Sequence, residues 1–173
     1  IRVPFKIDMN ADKREKQKDV SEKSIKGLHI LLAEDNELNM EIAEFMLQNE
    51  GAEVTKAWNG QEAVELFRKS KPGEFDVILM DIMMPVMNGY EATKKIRSLD
   101  REDAKTIPII AMTANAFTED RLRAKEAGMD EHIAKPVDGK LLINIIYKLM
   151  KHSFRGSHNE KRKNGVSYLL YFW

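Results

Sequence analysis

In Phe75-Asp76-Val77-Ile78-Leu79-Met80-Asp81 the apolar run from Val77 to Met80 is closed at each end by a carboxylate. It does not alternate polar with apolar, as a strand with one wet face would. A continuous apolar stretch of this length suits a strand buried on both faces, as in a parallel sheet. The same texture occurs upstream in Leu28-His29-Ile30-Leu31-Leu32-Ala33 and downstream in Ile107–Met112. Each run ends on polar residues: Glu34-Asp35 after the first, Asp81 after the central one, and Thr113 after the third. Asp76 precedes its strand and reads as structural.

The segments between these runs have helical periodicity. Glu37–Glu50 carries Leu38, Ile42 and Phe45 at helical spacing and stops at Gly51. Ala52–Trp58 reads as a strand and Asn59-Gly60 as a turn. Glu62–Lys71 reads as a helix with Ala63, Leu66 and Phe67 inward, broken by Pro72-Gly73. Pro85 to Gly89 is a loop, with Asn88-Gly89 a turn, and Tyr90–Leu99 a helix. A further helix runs from about Phe117 to Ala127 and stops at Gly128. Glu131–Ala134 is a short fifth strand. Asp138 caps a last helix with Leu141, Leu142, Ile145, Ile146, Leu149 and Met150 on its buried stripe. Strict alternation of strand and helix predicts an α/β fold, a doubly wound (βα)5 open parallel sheet. Ligands in such sheets sit beyond the carboxyl ends of the strands, at a topological switch point.

Composition narrows the function classes. The chain has 173 residues, 43% of them hydrophobic, which fits one domain with tails. Lysine plus arginine (28) balances aspartate plus glutamate (28), so no global field draws the chain to nucleic acid or to an anionic membrane. The absence of cysteine excludes disulfide scaffolds, thiolate metal sites and thiol catalysis. No apolar run reaches the roughly 18 residues of a membrane span. The methionines around Asp81 read as packing and loop filling, because thioether sites select soft copper and nothing else here does. The first residue is Ile1, so the chain reads as a piece of something longer. Residues 28–151 form the expected domain. Residues 1–27 comprise a short β-prone segment and a charged linker. Residues 152–173 form a basic, then aromatic tail, either a non-native extension or a segment docked on the core or on another chain.

The fold gathers Glu34, Asp35, Asp81, Thr113 and Lys135 at one sheet edge. Three carboxylates packed together repel one another, and a hard divalent cation relieves this. Oxygen ligands from few carboxylates, with phosphate in prospect, suit Mg²⁺ (or Mn²⁺). The lysine and the threonine hydroxyl complete a cradle for an anion bound near a carboxylate. Transfer of a phosphoryl group to an aspartate requires this arrangement. Asp81 is the expected nucleophile and phosphoacceptor. Asp35 and Asp81 are expected to bind metal directly and Glu34 through water. Lys135 and Thr113 are expected to hold phosphate oxygens. Backbone groups of Met83 (its carbonyl, to the metal) and Ala114 complete the set.

Four motifs resemble the response-regulator receiver domains of two-component signalling: Ala33-Glu34-Asp35-Asn36, Met80-Asp81-Ile82-Met83-Met84-Pro85-Val86-Met87-Asn88-Gly89, Met112-Thr113-Ala114 and Ala134-Lys135-Pro136. The resemblance covers Leu28 to Met150. It implies a flavodoxin-like sheet of strand order 2-1-3-4-5, a cis Lys135–Pro136 bond, and a phosphorelay role. It also implies a switch pair of Thr113 and His132, acting on the surface of the helix and strand that precede Lys135. His132 stands where the family often has an aromatic ring. Glu34-Asp35-Asn36-Glu37-Leu38-Asn39 and Ala57-Trp58-Asn59-Gly60-Gln61-Glu62-Ala63 are similar to receivers fused to hybrid histidine kinases. Ile1-Arg2-Val3-Pro4-Phe5-Lys6-Ile7 resembles the last strand of a kinase ATP-binding domain.

The implied phosphodonor is a kinase dimerisation/phosphotransfer domain or a histidine phosphotransfer protein. It is expected to meet Leu38 and its neighbours on the first helix. The implied setting is cytoplasmic, with the parent kinase free to be membrane-anchored, and with no nucleic acid and no direct membrane contact. Met83 and Asn115 occupy positions that tune acyl-phosphate hydrolysis in the family, and an apolar Met83 cannot orient an attacking water.

Three alternatives compete. A haloacid-dehalogenase-type phosphohydrolase needs a second acid two residues past its nucleophile, where Met83 stands. A response regulator with a DNA-binding domain needs more than the 23 residues after Met150. A pseudo-receiver interaction module would have lost functional positions that are all present here.

Overall fold

Three asparagines start the helices that rise from the carboxyl edge of the sheet. The Asn36, Asn59 and Asn88 side-chain oxygens accept from the backbone N–H of Asn39, Glu62 and Glu91 at 3.1, 2.9 and 2.9 Å, each satisfying a donor the first turn leaves orphaned. The protein, a computed structural model, is described over residues 24–114 and 118–163. Its elements are β1 (His29–Ala33), α1 (Glu37–Asn49), β2 (Glu53–Ala57), α2 (Gly60–Lys69), β3 (Val77–Asp81), α3 (Gly89–Arg97), α4 (Glu102–Thr106), β4 (Ile109–Thr113), α5 (Thr118–Ala127), β5 (Glu131–Ala134) and α6 (Gly139–Lys163). The segment 1–23, Asn115, Phe117 and the aromatic terminus at 164–173 lie outside the described residues.

All strand pairs are parallel, in the order β2-β1-β3-β4-β5. The three central strands β1, β3 and β4 are buried on both faces, as their unbroken apolar runs predict, and the edge strands β2 and β5 are partly exposed. Leu31, Ile78, Met80 and Ile109 pack on one side against Phe67 of α2 and Ile96 of α3. Ile30, Leu32, Leu79 and Ile110 pack on the other against Met40 and Leu47 of α1 and Leu142 and Ile146 of α6. Each such side chain contributes about 1.5–3 kcal/mol on burial. Asp76 is structural as expected: its Oδ2 accepts from the His29 N–H at 2.8 Å, at the start of the neighbouring strand.

Several boundaries differ from the sequence reading. Ile25, assigned to the linker, is fully buried in the core. Its carbonyl accepts from Leu28 N–H at 3.1 Å, and Gly27 N–H donates to the Gly51 carbonyl at 2.8 Å, which ties the segment to the end of α1. In α1 the buried residues are Met40, Ala43 and Leu47, whereas Leu38, Ile42 and Phe45 face outward. Both stripes have helical spacing, so periodicity alone does not say which faces in. Helix α4 was not anticipated, and α6 continues past Met150 to Lys163.

Two arginines lock the amino-terminal side of the sheet. The Arg101 guanidinium donates to the carbonyls of Phe67, Ser70 and Lys71, pairs with Asp103 at 2.6 Å, and lies 4.4 Å over the Phe67 ring. Arg97 of α3 donates to the carbonyls of Ala104 and Gly128 and pairs with Asp130, whose Oδ2 also accepts from Ile109 N–H. These contacts close the carbonyl ends that α2 and the α5–β5 turn would otherwise leave unpaired.

On the opposite edge, the loop after β3 is drawn tight by backbone contacts. Gly60 N–H donates to the Met87 carbonyl at 3.1 Å and Gly89 N–H to the Ile82 carbonyl at 3.0 Å. A Cβ on Gly60 would lie 2.4 Å from the Met87 oxygen, and one on Gly89 would lie 2.2 Å from the Asp81 oxygen. No side chain fits at either position.

Candidate functional site

The sheet order makes β1 and β3 neighbours, with the chain turning outward to opposite sides from them. This is the switch point, and the carboxylates meet there. Ala33 pairs with Met80, so Glu34 and Asp35 leave β1 beside Asp81, the last residue of β3. Glu34, Asp35 and Asp81 each present an oxygen, all within 4.8 Å of one another. Glu34 (2% exposed) and Asp81 (3%) are buried, and Asp35 is exposed.

Lys135 enters from the far side of the sheet, past β5. Its Nζ lies 2.5 Å from Glu34 Oε2 and 2.8 Å from Asp81 Oδ2. Its backbone N–H donates to the Thr113 carbonyl at 2.7 Å, so the end of β4 sets the position of the lysine. The Lys135–Pro136 peptide is cis, as the resemblance implies. Thr113 is buried at the end of β4, opposite Ala134. Ile82 N–H donates to the Met112 carbonyl at 3.1 Å and Met83 N–H to Asp81 Oδ1 at 3.2 Å, which orients the Asp81 carboxylate. The structure thus brings together Glu34, Asp35, Asp81, Thr113 and Lys135, with Met83 and Ala114 in the flanking turns.

The electrostatics favour an added cation. Burial pushes the Asp81 carboxyl above its ordinary range. Lys135 and the Met83 N–H pull it down and Glu34 pushes it up, and burial prevails. Burial also acts against the Lys135 charge, but the Asp81 and Glu34 carboxylates outweigh it and hold the ammonium above its ordinary value. Three carboxylates face one ammonium, which leaves net negative charge on hard oxygen ligands. The donor set therefore fits Mg²⁺, with Asp35 accessible to it and Glu34 largely committed to protein partners.

Two positioning residues carried no assigned role in the sequence reading. Asn39 Nδ2 donates to Glu34 Oε1 at 3.1 Å, and Asn36 N–H to the same oxygen at 3.3 Å. The available signal was a polar residue three positions into a helix that opens beside an acidic pair. His132 lies on β5 opposite Ala111, with Nδ1 3.2 Å from Glu131 Oε1. It lines a groove of about 570 Å³ between α5 and β5, together with Leu122, Lys125, Met129 and Glu131.

Residues 30–147 match the response regulator receiver domain family. Histidine kinase 1 of Arabidopsis thaliana is 37% identical over 165 residues, which is 77% of this chain and 14% of that protein. Hybrid signal transduction histidine kinase I of Dictyostelium discoideum is 39% identical over 119 residues, 68% of this chain and 7% of that one. This chain therefore spans a small part of these relatives. Among solved structures, the receiver domain of the sensor histidine kinase PA1611 from Pseudomonas aeruginosa, with magnesium coordinated in its active-site cleft, is 39% identical with a TM-score of 0.65, covering 72% of this chain and 98% of that one. The receiver domain of Ssk1 of Saccharomyces cerevisiae, co-crystallised with the histidine phosphotransfer protein Ypd1, is 29% identical with a TM-score of 0.67, covering 74% of this chain and 92% of that one. The strand order, the carboxylates at the switch point and these similarities agree: the chain belongs to the response regulator receiver domain family.

Proposed function

We propose that Asp81 is the phosphoacceptor of a phosphorelay and takes its phosphoryl group from a phosphohistidine. The observation that carries this reading is the Lys135 ammonium bridging Asp81 and Glu34 beside Asp35 at the mouth of the sheet. An Asp81 oxygen attacks phosphorus, the P–N bond breaks, and the donor imidazole leaves with the electron pair and is protonated. Met83 N–H holds one acceptor oxygen and so fixes the direction of attack. Lys135 shifts from its carboxylate partners to an oxygen of the incoming group, and the Thr113 hydroxyl and Ala114 N–H take the others. A Mg²⁺ ion (or Mn²⁺), held by Asp35, Asp81, the Met83 carbonyl and, through water, Glu34, would neutralise charge on the moving group. The Glu34 bonds to Asn39 and Lys135 support its outer role.

The modified site biases a two-state element. Thr113 moves toward the new dianion, and His132 turns into the space it leaves, which re-poses the α5/β5 groove. Leu38 (64% exposed), Ile42 and Phe45 (71%) form an outward apolar stripe on α1 that suits a helical donor. That donor is a kinase dimerisation domain or a histidine phosphotransfer protein, as in the Ssk1 receiver complex. The parent chain is a hybrid histidine kinase, and the module works in the cytoplasm. No helix among the described residues is long and apolar enough to cross a membrane.

The test is intact mass after incubation with Mg²⁺ and a small phosphodonor, for the wild type and Asp81→Asn. One added phosphoryl group in the wild type only, and only with Mg²⁺, is the expected result. Labelling of the variant, or none of the wild type with its fold intact, overturns the assignment.

A further inference from the structure

Helices α1, α2 and α3 all start behind an asparagine cap, but the third residue of the first turn differs in one of them. In α2 and α3 that residue is a glutamate, Glu62 and Glu91. A carboxylate there suits the helix dipole and can reach back toward the cap. Glu62 does so, its Oε2 accepting from the N–H of Trp58, just before the cap, at 2.7 Å. Helix α1, which opens beside the acidic cluster, has Asn39 at the same place. Its backbone N–H meets the Asn36 cap at 3.1 Å, as in the other two helices, but its side-chain amide turns to Glu34. A glutamate here would set a fourth carboxylate against Glu34, Asp35 and Asp81.

Glu34 is thereby held at both oxygens. Its Oε1 accepts from Asn39 Nδ2 at 3.1 Å and from Asn36 N–H at 3.3 Å, while Oε2 faces the Lys135 ammonium at 2.5 Å. The side chain is buried, which leaves it little other room to turn. Phosphoryl transfer as proposed above draws Lys135 away to the incoming group. The Asn39 amide and the Asn36 N–H then keep Glu34 in place. A carboxylate so held stands back from the direct ligands of an ion. With Asp35 and Asp81 as the direct carboxylates, the set suits Mg²⁺, which is small, octahedral and keeps much of its water. A Glu34 free to pivot would offer a third direct carboxylate. Ca²⁺ takes more oxygen ligands in a more flexible shell, so that freedom favours the larger ion.

We infer that Asn39 is a positioning residue that sets the cation selectivity of the site, favouring Mg²⁺ over Ca²⁺ by holding Glu34 back. The inference rests on the metal-assisted phosphoacceptor reading of Asp81. Asn39 acts through Glu34 and touches neither the reacting atoms nor the ion.

The experiment measures the Kd of the unphosphorylated full chain for Mg²⁺ and for Ca²⁺, by NMR titration of the Asp35 and Met83 amide signals. It compares the wild type with Asn39→Ala and Asn39→Leu. Both remove the amide donor, they differ in bulk, and both are better helix formers than asparagine. Residue 39 is exposed, so neither disturbs the core. The expected result is that the ratio of the Ca²⁺ Kd to the Mg²⁺ Kd falls about ten-fold in both variants, the size of effect that partners of metal ligands exert. An unchanged ratio overturns the inference, even if both affinities fall together, because Asn39 would then only support the site. A change in one variant alone traces to side-chain bulk and overturns it too. If neither ion shifts the site signals of the wild type, the metal reading itself falls and takes this inference with it.

Discussion

Replacing Asp81 by asparagine should stabilise the metal-free domain and reverse its ranking against wild type once Mg²⁺ is added. The Asp81 carboxylate is buried at 3% exposure, and burial together with the Glu34 charge raises its pKa despite Lys135 and Met83 N–H. A group whose pKa is raised by folding favours the folded state at low pH, and that contribution is lost as pH rises through the folded-state value. At neutral pH the charged Asp81 therefore weighs against folding. Asparagine removes the charge, and Lys135 keeps Glu34 at 2.5 Å. Its single oxygen can accept from Lys135 or from Met83 N–H, so part of the relief is returned. The net gain is about 1 kcal/mol, the usual size of a single stabilising substitution, or about 3 °C in Tm. Mg²⁺ at a hundred-fold excess over its Kd adds about 2.7 kcal/mol to wild type and little to the variant, which has lost a ligand. The assay is thermal unfolding in EDTA and in Mg²⁺ across pH. The variant's advantage in EDTA should shrink in acid, as wild-type Asp81 protonates. A variant less stable than wild type in EDTA at neutral pH, or one that Mg²⁺ stabilises equally, would refute the reasoning.

Three further outcomes are expected. Met83→Asn gives the exposed position two past the acceptor a group that can orient water, so loss of the acyl phosphate should quicken by up to roughly a hundred-fold. An unchanged or slower rate in a phosphate-release assay counts against this. Arg101→Met removes three bonds to carbonyls, the Asp103 pair and the contact with Phe67. It should destabilise the domain by about 3 kcal/mol in urea unfolding while leaving Mg²⁺ affinity unchanged; a loss under 1 kcal/mol would mean that the carbonyls find other donors. Ile25→Ala should lower stability by about 2–4 kcal/mol, and a neutral result would remove Ile25 from the core.

The site was legible in the sequence because strand ends can be read without knowing the packing in detail. An apolar run of five or six residues ends where a carboxylate, a threonine or a lysine begins, and parallel alternation places all such ends on one edge. The resemblance to receivers then supplied the strand order and the cis Lys135–Pro136 bond, both of which the structure shows. What escaped the reading depends on tertiary partners. Leu38, Ile42 and Phe45 have the same period as Met40, Ala43 and Leu47, and only the sheet decides which stripe is inward. Ile25 sits in a polar stretch and belongs to the core because Gly51 bends the chain back to meet Gly27. Asn39 looked like an ordinary helix residue until the structure placed its amide against Glu34.

The adjacency of β1 and β3 has a consequence for how the ion and the fold depend on each other. Glu34 and Asp35 belong to the first strand unit and Asp81 to the third, and Lys135 arrives last in the chain. No hairpin-sized fragment contains the set. A partly assembled chain, or one whose first strand has peeled away, has no place for a divalent ion. A divalent ion bound there would therefore depend on completion of the whole sheet, and not on any one strand unit.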